Sequence, residues 1–131
     1  MNNRRISVVL GVELNHDSVR NAIQNSKIDN MENVFFINED AEEYMVKRAS
    51  KGESVDLVIM DPPREDSDGN FLSSLVKFSP KKIVYISCNP ETQKRDLDYL
   101  LKFDYKVKEI QPVDMFPMTE HVEVIVKLEK Q

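Results

Sequence analysis

Apolar residues along this chain keep two rhythms that take turns. Runs of the length and composition of strands cover Ile6 to Val12 (continuing into Glu13-Leu14), Val34 to Ile37, Val55 to Met60, Ile83 to Ser87, Tyr105 to Val113 and Val122 to Leu128. Helical spacing fills the intervals between the first four and follows the fourth. Asp17 is placed to cap a helix over Ser18 to Ser26, in which Val19, Ala22 and Ile23 share one face. Asp40 is placed to cap a second helix, reaching about Ala49, with Glu43 at the capping-box position. A third helix is expected over Phe71 to Phe78, after a polar loop from Glu65 to Gly69. The fourth has Asn89 as its N-cap, Pro90 at its first position, and Leu97, Leu100 and Leu101 as its buried stripe. Val34 to Ile37 is too continuously apolar for a half-exposed strand and reads as a buried one, and Val55 to Met60 reads as the next buried strand.

Strand and helix alternate until Asp114 to Glu120, which holds no helical pattern, so the last two strands read as an antiparallel hairpin with a wide loop. This order predicts an α/β three-layer sandwich with a mostly parallel sheet and a C-terminal antiparallel hairpin. Polar residues collect where strands end: Glu13, Asp40, Asp61, Cys88 and Asp114. In a parallel sheet those ends share one edge, where ligands bind in open α/β folds.

Composition narrows the picture. A chain of 131 residues, 40% apolar and 31% charged, is expected to form one ordered domain. No apolar run approaches the roughly 18 residues of a membrane span, and the polar start Met1 to Arg5 is not followed by a signal-type apolar stretch. One cysteine leaves no intramolecular disulfide framework and no thiolate metal site. A cytosolic location is the simplest expectation. The net charge of −5 and the interleaving of bases with acids argue against a chain that grips a phosphate backbone unaided.

Several strand-end residues are candidates for chemistry. Glu13 follows Gly11-Val12 and could accept both ribose hydroxyls of a nucleoside cofactor, or be a solvated carboxylate. Asp40 could meet an adenine amino group, although capping its helix is the better local reading. The prolines of Asp61-Pro62-Pro63-Arg64 remove ladder donors and fix an extended exit from the sheet, presenting an acid and an arginine on a stiff loop. Arg64 could hold a phosphate or pair with a carboxylate. Cys88 lies between a strand and a helix N-terminus, a setting that favours thiolate chemistry, although a lone cysteine is more often a small buried hydrophobe. His121 and Glu123 share a face by the period of two, and either could serve as a general base near Cys88.

Asp-Pro-Pro-Arg at 61–64, Ser-Cys-Asn-Pro at 87–90 and Asp-Met-Phe-Pro-Met-Thr-Glu-His-Val-Glu at 114–123 occur in that order, each beside its expected strand. Together they resemble the RNA uracil-5 methyltransferase family, enzymes that use S-adenosylmethionine to make 5-methyluridine in ribosomal and transfer RNA. The likeness runs from Gly11-Val12-Glu13 to the last strand. It implies a Rossmann-like methyltransferase fold, with Cys88 as the nucleophile that adds to carbon 6 of uracil and Glu123 as the base that removes the carbon-5 proton. It places Asp61 near the reacting base, counted with Glu13 and Asp40 on the cofactor side, and Arg64, Asn89 and His121 on the substrate side. The target base would be flipped into the pocket.

The departures carry expectations too. The family's first strand, with its acidic glycine-rich loop around the cofactor, has no counterpart, nor has its N-terminal RNA-binding portion. Glu65-Asp66 replaces a basic residue and glycine, and Met118 stands where histidine is common. The resemblance therefore implies the C-terminal part of a catalytic domain, lacking the usual first strand. Such a chain would bind S-adenosylmethionine weakly or not at all, and would need a separate N-terminal portion to hold RNA. Two other readings stand beside it. One is a non-catalytic truncated module that forms a homodimer through the incomplete sheet or pairs with an N-terminal half. The other is an amino-group methyltransferase with an Asp-Pro-Pro motif, whose chemistry needs no thiolate.

Overall fold

The computed structural model describes residues 8–61, 69–114 and 122–131. Its elements run β1 (Val9–Glu13), α1 (His16–Ile28), β2 (Val34–Asn38), α2 (Ala41–Ser50), β3 (Leu57–Met60), α3 (Gly69–Phe78), β4 (Lys82–Ser87), α4 (Pro90–Leu101), β5 (Tyr105–Val113) and β6 (Glu123–Lys130). All six strands and four helices expected from the apolar rhythm are present. The chain forms two compact units, Met1–Tyr44 and Met45–Gln131, with the division inside α2. No helix among the described residues is long and apolar enough to cross a membrane.

In the first unit β1 and β2 pair in parallel, from Val9 opposite Val34 to Glu13 opposite Asn38. Gly11 faces Phe36 in that ladder, and a methyl at Gly11 would meet the Phe36 ring at 2.8 Å. The strand ends are tied by Asn38, whose side-chain amide donates to the carbonyls of Glu13 (3.0 Å) and Leu14 (2.8 Å). α1 buries Val19 and half-buries Ala22 and Ile23, the face expected. Its cap is Asn15 rather than Asp17: Asn15 has extended backbone and its side chain accepts from the Ser18 N–H at 2.9 Å. Asp17 lies in the first turn, where its charge suits the helix dipole and Arg20 pairs with it at 3.1 Å. The helix runs two residues past Ser26 and closes through Asn30, which takes a left-handed φ of 54°. Phe35 is half exposed, so β2 is not covered on both faces. Asp40 caps α2 as expected, accepting from the Glu43 N–H at 3.0 Å.

The second unit is a four-stranded sheet in the order β3-β4-β6-β5. β3 and β4 are parallel, while β6 runs antiparallel to both β4 and β5. Over the two sheets two pairings are parallel and two antiparallel, because β6 enters between β4 and the edge strand β5. Pro112 is tolerated on β5 because an edge strand can turn a missing donor outward.

Alternation along β4 and β6 sends Ile83, Tyr85, Val126 and Leu128 to one face. There they pack with Leu72, Leu75 and Phe78 of α3 and Leu100 of α4. Ile83, Leu75, Leu100 and Leu128 are wholly buried, each contributing about 1.5–3 kcal/mol of transfer free energy. Among the described residues the opposite face has no such cover within the unit. Leu57 and Ile59 of β3 are exposed on it, the latter by 66%, so Val55 to Met60 is not the doubly buried strand its composition suggests.

The buried stripe of α4 also differs from expectation. Leu101 is exposed, and the stripe is Gln93, Asp96 and Leu100, with Leu97 half-buried. The two polar members are tolerated because each finds partners. The Tyr85 hydroxyl donates to Asp96 Oδ2 at 2.6 Å, and Arg95 donates to Asp96 Oδ1 at 3.3 Å. Burial, then the bond to Asp96 and its charge, push the Tyr85 phenol far above its ordinary range.

Tyr85→Phe is therefore expected to cost about 1–3 kcal/mol by leaving a buried carboxylate short of a donor. The folded-state pKa is raised, so Tyr85's contribution is complete below the unfolded tyrosine value of about 10 and lost as pH rises beyond it. Urea melts of parent and variant should show the parent's advantage shrinking by up to about 1.4 kcal/mol per pH unit above about pH 10. An advantage that stays flat to about pH 11 would contradict this account.

Candidate active site

The sheet order of the second unit decides which candidate residues meet. Asp61 leaves the carboxyl end of β3, Cys88 the carboxyl end of β4, Glu123 opens β6, and Asp114 follows β5. Because β3 and β4 are parallel and β6 is antiparallel to β4, all four lie at one edge of the sheet, in the lateral order Asp61, Cys88, Glu123, Asp114. Neighbouring strands are about 4.8 Å apart. Ser87 is paired with Val124, so the register continued by one residue sets Cys88 across from Glu123. Glu123 is itself paired with Val113 on its other side, which fixes its place from both flanks.

Alternation also gives these residues a side. Val124 and Val126 face the helices, so Glu123 falls on the face of Ile125 and Lys127, away from the packed core. Both Cys88 and Glu123 are half-buried. A thiol and a carboxylate that are partly dry yet reachable suit attack on a planar base followed by proton removal.

The segment around Cys88 is held by local bonds. Ser87 Oγ accepts from the Asn89 N–H at 3.0 Å and lies 3.2 Å from the Asn89 carbonyl, to which it donates. Asn89 has extended backbone, and its Oδ1 accepts from the Thr92 N–H at 3.2 Å, capping α4 with Pro90 just inside. Cys88 thus sits on a two-residue bridge between a strand end and a capped helix. With the Asn89 oxygen engaged in the cap, any substrate contact from this side chain would use its amide donors.

Glu13 and Asp40 belong to the first unit, at the carboxyl-end edge of the β1–β2 pair. Glu13 is exposed, and its Oε1 accepts from the Asn15 N–H at 3.0 Å, shaping the turn into α1. A carboxylate has about four acceptor positions, so this turn bond leaves capacity for the two hydroxyls of a ribose. Asp40 gives its Oδ1 to the α2 cap and keeps a second oxygen as an acceptor for an amino group. The carboxylate acceptors at this edge fit the hydroxyl and amino donors of a nucleoside. Arg64 and His121 lie outside the described residues, as do Pro62, Pro63 and most of the 114–123 segment. Among the described residues no group of three or more His, Cys, Asp or Glu could hold a metal ion.

Gln93 is not among the site residues expected from the sequence. It is buried on α4, and its side-chain amide donates to the carbonyls of Tyr85 (3.3 Å) and Val124 (3.0 Å). The signal that could have found it is a polar residue four positions past the Asn89 cap, in line with Asp96 and Leu100.

Comparison with known proteins sets these observations among relatives. A family model described as tRNA (uracil-5-)-methyltransferase matches residues 2–131. An uncharacterized RNA methyltransferase of Enterococcus faecalis is 43% identical over 122 residues, 93% of this chain and 27% of its own length. One from Caldanaerobacter subterraneus is 41% identical over 97% of this chain and 28% of its own. Among solved structures, the Pyrococcus abyssi tRNA (uracil-54, C5)-methyltransferase in complex with S-adenosyl-L-homocysteine superposes with a TM-score of 0.77 at 37% identity. It is covered over 28% of its chain, against 92% of this one. The NSun6 structure from Pyrococcus horikoshii, at 16% identity and a TM-score of 0.70, shares the fold alone, over 94% of this chain and 41% of its own. These neighbours bear out the Rossmann-like methyltransferase fold. The chain spans little more than a quarter of the length of the curated relatives it matches.

Proposed function

We propose that this chain, which belongs to the tRNA (uracil-5-)-methyltransferase family, carries the nucleophile and base of an enzyme that methylates carbon 5 of uridine in transfer or ribosomal RNA. The observation that carries the reading is the β4–β6 register, which sets Cys88 across from Glu123 at one sheet edge.

Carbon 5 of uracil is a weak nucleophile until a group adds at carbon 6. The Cys88 thiolate forms the bond from Sγ to carbon 6, and the electrons of the 5,6 double bond move to carbon 5. S-Adenosylmethionine, when bound, would supply an electrophilic methyl group, which carbon 5 would take while S-adenosylhomocysteine departs as the neutral thioether. Glu123 then takes the carbon-5 proton, the double bond re-forms, and the Cys88 sulfur leaves as thiolate. Glu123 passes its proton to solvent. Asp61, just past the end of the strand beside β4, lies near the reacting base, and Arg64, Asn89 and His121 contribute to holding the nucleotide. Glu13 and Asp40 hold the ribose and adenine of the methyl donor.

The acidic balance of the chain supports a reading in which another domain or chain supplies the main grip on RNA. Among the described residues β3 pairs on one side only, and a strand from outside this chain completes that edge. The setting is the cytosol.

The test uses RNA in which 5-fluorouridine replaces the target. Fluorine cannot leave carbon 5 as a cation, so the adduct is not resolved and survives denaturing electrophoresis. The expected result, with S-adenosylmethionine present, is a protein–RNA band whose peptide map places the nucleotide on Cys88. It should form faster in a version extended to the length of the relatives. No adduct from either version would remove the proposal.

A further inference from the structure

The packed side of the β4–β6 pair holds a feature that the chemistry above does not use. Gln93 projects from the first turns of α4 into the core, where only 3% of it remains exposed. A buried amide is costly unless its hydrogen bonds are made. Here one NH2 group makes two, to a carbonyl of β4 at Tyr85 and a carbonyl of β6 at Val124. Carbonyl oxygens carry two lone pairs, so a strand carbonyl can accept from Gln93 in addition to a ladder donor. A leucine or methionine at this position would fill the same space without a polar group to satisfy. The amide does something those residues cannot: it fastens two strands to each other and both to the helix.

Its location gives the fastening a target. Tyr85 is three residues before Cys88, and Val124 is one residue after Glu123. The last described β4–β6 pair is Ser87 with Val124. Beyond it no described ladder pair secures Cys88 to Glu123. The Ser87–Asn89 bonds and the Asn89 cap place Cys88 relative to α4. Gln93, from one turn further along the same helix, places α4 relative to both strand ends.

We infer that Gln93 is a positioning residue: by bridging the Tyr85 and Val124 carbonyls it holds the thiol of Cys88 and the carboxylate of Glu123 in the spacing that uracil methylation requires. The inference rests on the functional reading above for its purpose, and on the hydrogen bonds alone for its geometry.

The geometry can be measured without RNA or methyl donor. Cys88 is the sole cysteine, so Glu123→Cys creates one defined thiol pair across the strand ends. Its equilibrium with glutathione gives an effective concentration. Gln93→Met, similar in size but with no donor, is expected to lower that value about tenfold, the scale of two buried hydrogen bonds. A control pair at the far end of the same strands, Lys82→Cys with Glu129→Cys in a Cys88→Ala chain, joins residues that also face each other. It should change less than about twofold.

Should Gln93→Met fail to fold, Gln93→Asn, which keeps the amide but is too short to span both carbonyls, is read in its place. Equal effective concentrations with and without Gln93, equal loosening of both pairs, or no disulfide in the Gln93 parent would each overturn the inference. The catalytic half is read as turnover on ordinary uridine RNA, because removal of the carbon-5 proton is the step that needs Glu123 beside the Cys88 adduct. Gln93→Met should lower the maximal rate about tenfold, with the RNA concentration for half-saturation unchanged. A raised half-saturation with an unchanged maximal rate would overturn it. Failure of capture in the parent together with an intact cross-link result would remove the methylation reading and leave the strand geometry standing.

Discussion

Cys88→Ala is expected to abolish capture of 5-fluorouridine RNA and to lower methylation by about 10⁴-fold or more in a version extended to the length of the relatives. The size follows from what the proposed mechanism asks of the residue. Without addition at carbon 6 the ring offers no electron-rich carbon 5, and no neighbouring group can take over, since Cys88 is the single thiol. The folding cost should be small. Cys88 is half-buried, follows the last paired residue of β4, and is not a member of the α3–α4 core. Loss of one partly exposed sulfur costs on the order of 1 kcal/mol. A circular-dichroism melt that barely moves, alongside activity at background, is the expected pair of results. Methylation of RNA that survives within a few-fold would remove the thiolate mechanism and favour transfer to an amino group, which needs no covalent step.

Much of this edge is legible in the sequence, and the parts that are hidden are hidden for physical reasons. Asn89 and Pro90 as cap and first helical residue, Asp40 as the α2 cap, and the span of β5 follow from local chemistry, and the structure shows each of them. Local chemistry cannot separate Asn15 from Asp17 as the α1 cap, because both residue types cap and they lie two positions apart. Composition misleads at Phe35, Leu57 and Ile59. An apolar run says that a strand can be buried on both faces, while cover depends on elements elsewhere. In α4 the apolar periodicity points to Leu101, which is exposed, whereas Gln93 and Asp96, surface residues by type, lie in the core. They can do so because the Tyr85 hydroxyl donates to Asp96 and the strand carbonyls of Tyr85 and Val124 accept from Gln93. No rule of local spacing foresees those partners. The meeting of Cys88 with Glu123 is implied in the sequence by a resemblance. It becomes a geometric statement only through the β4–β6 register, which pairs residues far apart along the chain.

That register leads to a second large effect, of a different kind. Glu123→Gln keeps the length and volume of the side chain, so β6 should hold its pairings with Val113 and β4. What is lost is the ability to take a proton. Cys88 can still add to uracil and carbon 5 can still be methylated, but the carbon-5 proton then has no base positioned to receive it, and the thiolate cannot be expelled. Turnover is expected to fall by about 10²–10⁴-fold, and the covalent intermediate should accumulate on ordinary uridine RNA, with no fluorine needed. Mass spectrometry of the trapped peptide should find Cys88 joined to a methylated uridine. The double variant with Cys88→Ala should show no adduct, because the proton-removal step lies downstream of addition. If Glu123→Gln turns over within about threefold of the parent, or slows without accumulating an adduct, the base is another group at this edge. Asp61, on the far side of Cys88 in the same strand order, is then the residue to replace next.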